Sequence, residues 1–99
     1  MENYKKIALE INDNLTKKDW KQYGAKNCYY TDIINGYRLI KSCETIVAIV
    51  DLHEWVFVEF GKWSATTSKQ CTQFFRQYHS ALERKNLMLG LPEEWQKIA

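Results

Sequence analysis

Ninety-nine residues, 45% of them hydrophobic and 14% aromatic, suffice for one domain with a core and exclude a disordered tail. A formal charge of +2 is too small for a strongly basic nucleic-acid binder. No apolar run approaches the roughly 20 residues that span a bilayer, and Met1–Lys6 carries no signal-peptide pattern, so a single cytoplasmic domain over 1–99 is expected.

The chain opens with Tyr4, Ile7, Ala8, Ile11 and Leu15 at helical spacing, which predicts an amphipathic N-terminal helix. Thr16-Lys17-Lys18-Asp19 resembles a capping box and predicts a short second helix carrying Trp20 and Tyr23, closed by Gly24. From Cys28 the period changes. The segments 28–34 and 37–43 are β-branched and aromatic and flank Asn35-Gly36, a strong hairpin signal. The almost wholly apolar 45–51 reads as a central strand covered on both faces, and 54–60 as its hairpin partner.

A last long helix is predicted from the stripe Cys71, Phe74, Phe75, Tyr78, Ala81 and Leu82. Thr67-Ser68-Lys69-Gln70 marks its start as a capping box, and helix propensity runs on through Arg84 and Lys85. Pro92 introduces a short terminal helix over Glu93-Glu94-Trp95. The predicted fold is therefore α+β, an antiparallel sheet of three to four strands. One or two N-terminal helices and a long C-terminal helix pack on it.

Three cysteines without a C-x-x-C pair do not make a disulfide framework and suit a reducing compartment. A two-residue turn at Asn35-Gly36 would set Cys28 opposite Cys43, as packing partners or as a redox pair. No two of Cys28, Cys43, Cys71, His53 and His79 stand at zinc-finger or ribbon spacing, so no metal and no cofactor are expected. No nucleophile elbow, metalloprotease helix or phosphate loop occurs either, and the chain reads as a non-enzyme.

Binding residues remain. Tyr29, Tyr37, Trp55 and Phe57 lie on or beside the sheet as candidate protein-interface anchors, with Arg76 and Arg84 on the polar helix face next to them. Lys62, Ser64, Thr66 and Lys69 surround a helix start and offer hydroxyls, cations and free amides to an anion or to nucleic acid. Capping and core closure by Trp63 account for the same segment without any ligand.

The stretch from Thr45 to Phe74 resembles a family of uncharacterised small proteins of phages and other bacterial mobile elements. The residues that carry the likeness are Thr45-Ile46-Val47-Ala48-Ile49-Val50, Trp55-Val56-Phe57-Val58 and the aromatic-Ser-x-Thr-Thr motif Trp63-Ser64-Ala65-Thr66-Thr67, followed by Ser68-Lys69-Gln70. Trp63 stands where that family usually has Tyr, and Gln70 where it often has His. The element order also invites comparison with double-stranded-RNA-binding domains, but their lysine cluster is missing at the helix start. The resemblance implies a phage-type protein in the bacterial cytoplasm that binds a host protein, as anti-CRISPR and other anti-defence inhibitors do. The alternative is a nucleic-acid-binding module using the basic face of the C-terminal helix, and an uncovered sheet face would also suit a homodimer.

Overall fold

The computed structural model describes residues 3–24, 27–61 and 63–87. Lys62 and the helix predicted after Pro92 lie outside the described residues. Helix α1 (Tyr4–Asp13) starts where the Asn3 side chain accepts a hydrogen bond from the Lys6 amide at 3.1 Å. It buries Tyr4 and Ala8, one helical turn apart. The Thr16/Asp19 capping box forms, but it caps only a three-residue 3-10 turn, Lys17–Asp19. Trp20 is then extended, and β1 (Trp20–Gln22) replaces the expected second helix.

The sheet has six strands in the order β1-β2-β3-β4-β5-β6, which overturns the expected three to four. Strands β2 (Cys28–Thr31), β3 (Tyr37–Ser42), β4 (Thr45–Asp51) and β5 (Val56–Glu59) form the antiparallel meander that the hairpin signals predicted. The added strands are β1 at one edge and β6 (Glu83–Asn86) at the other. β6 runs parallel to β5, so the sheet is mixed. A parallel partner needs a long crossover, and α2 (Ala65–Arg76) supplies it.

The long C-terminal helix is therefore corrected to twelve residues, and Arg84 and Lys85 lie in a strand. His79 and Ser80 both take positive φ, which breaks the helical path and sends the chain back to the sheet. Leu82 is buried beside Phe74, so it keeps the core position that the stripe gave it, but it reaches there from a turn. The start of α2 is also earlier than predicted. Ser64, not Thr67, is the N-cap, accepting from the Thr67 amide at 3.3 Å. Thr67 and Gln70 instead meet Ser42 of β3, at 3.1 and 3.2 Å.

One helix lies on each face. Tyr4 and Ala8 of α1 pack with Leu39, Ile46, Ile49, Val56, Val58 and Phe60. Cys71 and Phe74 of α2 pack with Cys28, Ile40, Val47, Val50 and Phe57 on the other face. β4 is buried along its whole length, as its composition predicted. Its register shifts between Ile40 and Lys41, leaving Val47 as an extra residue and putting Val47 and Ala48 in the same cluster. Six strands about 4.8 Å apart make a sheet about 24 Å wide, while one helix covers about 10 Å. The flanks of each face must therefore be closed by side chains or stay open.

Candidate functional site

The predicted interface residues do not form one surface. Phe57 is fully buried, with its ring centroid 5.4 Å from that of Phe75 beneath α2. It shares a strand with Val56 and Val58, whose side chains enter the opposite cluster, so the two apolar faces of β5 are two cores. Phe57 is thus a core residue, not an interface anchor. Arg84 is also removed from the helix face. Its guanidinium makes a two-pronged pair with Glu59, Nε to Oε2 and Nη2 to Oε1 both at 3.0 Å, and donates to Thr72 Oγ1. Arg76 remains exposed in the last turn of α2, and Lys69 and Thr66 are exposed near its start. Ser64 is spent on the cap.

Tyr37 is half-buried, and its ring lies 5.2 Å from that of His53. His53 joins the two hairpin turns at one end of the sheet: Nε2 lies 2.7 Å from the Asn35 carbonyl oxygen, and the neighbouring Leu52 amide donates to the Gly36 carbonyl at 2.9 Å. Gly36 has φ +84°, and a Cβ there would meet the imidazole at 2.3 Å. Glycine is required both by the turn and by the ring resting on it. The buried Asp51 anchors the second turn, with Oδ2 accepting from the Tyr4 hydroxyl at 2.7 Å and Oδ1 from the His53 and Glu54 amides.

These contacts hold Trp55, which is 57% exposed and has φ +56°. Ile33, in the adjacent turn, is 51% exposed. Tyr37 pairs with Asp51 in the register, so both turns project from the same end of the sheet. Ile33 was not legible as a surface residue, because the hairpin holds one more residue before the turn than a simple two-residue loop predicts. Ile34 bridges Tyr37, yet Tyr30 pairs with Ile40.

That same extra residue corrects the cysteine register. Cys28 pairs with Ser42, and Cys43 sits in the next turn with φ +57°. All three thiols are free. Burial pushes Cys28 up to about 11, and Cys71, buried beside Glu59, up to about 12. At pH 8 the native protein is therefore expected to give one fast-reacting thiol, Cys43, and all three only in denaturant. Thiol titration with and without guanidinium checks this, and three fast thiols in the native state would refute it.

At the other end of the same face, Tyr29 is half-buried beside its register partner Lys41. The Lys41 ammonium lies 4.2 Å from the Trp20 ring centroid and 5.6 Å from that of Tyr29. Trp20 is predicted on a short helix and lies instead in β1, and the sequence marks no role for Lys41. The available signal was a lysine in third place on the face started by Tyr37 and Leu39. Between α1 and β6 a wider groove of about 630 Å³ is lined by Glu54, Glu83 and Lys85 among others, two carboxylates against one ammonium. Among the described residues no three His, Cys, Asp or Glu side chains gather as a metal site, and no helix is long and apolar enough to cross a membrane.

The motif Trp63-Ser64-Ala65-Thr66-Thr67 is the junction into α2. Trp63 packs against both cores, and its indole N–H is buried without a partner among the described residues. No curated protein and no solved structure matches the chain. A family model does match, over residues 11–89, which run from the end of α1 through β6. The chain belongs to the family of unknown function DUF8033.

Proposed function

We propose that this chain is a non-enzymatic binding module of the phage or mobile-element kind, which docks on a host protein through the turn end of its sheet and acts as an anti-defence inhibitor. The observation that carries this reading is Trp55. A bulky side chain in the left-handed region costs roughly 1–2 kcal/mol against glycine or asparagine, and this one buries little area in return. Stability does not explain a tryptophan at that place, whereas a partner does, since tryptophan is prominent among interface hot spots. Ile33 extends the apolar surface beside it, and the His53 bridge holds both turns in place, so little order is lost on docking. Nucleic-acid binding by the basic helix face has less support, because Arg84 is neutralised by Glu59 and the net charge is small.

Trp55→Asn tests the reading, because asparagine tolerates the left-handed conformation. Its folding stability is expected to be unchanged or raised by up to about 1 kcal/mol. The partner retained from bacterial lysate by the tagged wild-type protein should be lost, in keeping with a hot spot worth about 2 kcal/mol or more. Retention of the same partner by the variant, or a large loss of stability, would sink the proposal.

A further inference from the structure

The flank of the α1 face formed by β1, β2 and β3 carries a cleft of about 300 Å³, lined by Lys17, Trp20, Tyr29, Lys41, Cys43 and Glu44. That volume is at the lower end of small-molecule sites. Its position follows from the width of the sheet: α1 covers the middle strands, and among the described residues no α-helix covers this flank.

Three features distinguish it from an ordinary solvated edge. Lys41 is half-buried, yet among the described residues its ammonium makes no hydrogen bond or ion pair. It carries three donors, and leaving donors unmade in a partly desolvated place is costly. The Trp20 and Tyr29 rings offset part of that cost by cation–π attraction. Burial lowers the Lys41 pKa, Glu44 opposes the shift, and a second cation, Lys17, adds to it. A lysine serving only to cover the Trp20 ring would gain nothing from a like charge beside it. The third feature is Cys43. It lies in the two-residue turn between Ser42 and Thr45, with φ +57°, where glycine or asparagine would be less strained.

We propose that this cleft binds a small organic oxyanion, a carboxylate or a phosphate monoester, with the charged end on the Lys41 ammonium, Lys17 assisting, and the organic part against Trp20 and Tyr29. An oxyanion supplies acceptors for the unused donors, offsets the repulsion between the two lysines and displaces only water. Glu44 also lines the cleft and offsets part of the positive charge of the two lysines, so the charged end of the ligand is expected on the Lys41 and Lys17 side. The site is separate from the Trp55 end and stands whether or not that surface docks a protein.

Cys43 lines the cleft and is the one thiol not buried, so it reports on occupancy. Iodoacetate and iodoacetamide are nearly isosteric and differ in charge, and with each the thiolate sulfur bonds to the methylene carbon as iodide leaves. In the native full-length chain the rate ratio of iodoacetate to iodoacetamide at Cys43 is expected to exceed that of the unfolded chain by about five- to tenfold. Lys41→Met, which keeps the stem packing, should return the ratio most of the way to the unfolded value. Lys17→Met, at an exposed position, should lower it a few fold. Benzoate or phenyl phosphate should protect Cys43 from iodoacetamide saturably, the stronger of the two naming the source of the anion, and inorganic phosphate should protect less. A ratio equal in native chain, unfolded chain and both variants overturns the proposal. So does the absence of protection by benzoate and phenyl phosphate at about 10 mM.

Discussion

Arg84→Met is expected to destabilise the protein by about 3–5 kcal/mol, a large part of the 5–15 kcal/mol typical of a domain. The Glu59 side chain is 8% exposed, and Arg84 supplies both of its charge-assisted bonds. Removing Arg84 leaves an unpaired carboxylate between β5 and α2, next to the Cys71 thiol. The same guanidinium donates to Thr72 Oγ1 at 3.0 Å and lies 5.5 Å from the Phe75 ring centroid, so it ties β6, β5 and α2 together. Glu59→Met with Arg84→Met should recover most of the loss, because an apolar pair of similar volume carries no desolvation cost. Urea unfolding of the two single variants and the double variant gives the coupling directly. A loss below about 1 kcal/mol in Arg84→Met would mean that the arginine is free for a partner after all.

Arg84 also shows why the second half of the chain carries the weaker local signals. Glu83, Arg84, Lys85 and Asn86 are all exposed, include good helix formers and show no alternation, so nothing local distinguishes them from the end of a helix. What makes them a strand is remote. Backbone pairing with β5, the Glu59 carboxylate and the burial of Leu82 override propensity, and two residues of positive φ make the bend. β1 carries no local signal for a related reason. Three residues are too few to show a period of two, and the capping box before them promised a helix that stops after one 3-10 turn.

The hairpin turn at Asn35-Gly36, the buried β4 and the 4/8 contact face of α1 are local signals, and they were legible. The site was legible only in part. Trp55 was singled out with Phe57, and the alternation along β5 could not say which of two apolar faces stays open. Both are covered, and the exposed tryptophan belongs to the turn, outside the alternation altogether. The start of α2 failed differently. Ser64-x-x-Thr67 and Thr67-x-x-Gln70 both fit a cap, and the choice depends on Ser42, 25 residues away, which takes Thr67 and Gln70 for itself.

Asp51→Ala is expected to cost about 4 kcal/mol, more than a single hydrogen bond is worth, because one side chain serves three donors. Asp51 is 1% exposed; Oδ2 takes the Tyr4 hydroxyl at 2.7 Å, and Oδ1 takes the His53 and Glu54 amides at 2.8 and 3.2 Å. Alanine takes the carboxylate acceptor from a buried hydroxyl and from two turn amides together and removes the side-chain bond between the start of α1 and β4. Asp51→Asn keeps an acceptor for the two amides and offers the tyrosine oxygen a donor, so about 1 kcal/mol is expected there. Tyr4→Phe should cost about 1–2 kcal/mol, since it removes one donor and leaves the turn intact. The order Ala, then Phe, then Asn separates a turn-fixing carboxyl from one that merely fills space. The turn it fixes is the one that holds Trp55 in the left-handed region, so Asp51→Ala should also weaken partner retention at temperatures where the variant is still folded. Chemical denaturation gives the first ordering, and quantitative pull-down at low temperature the second. Full retention by folded Asp51→Ala would show that docking does not depend on the conformation of Trp55.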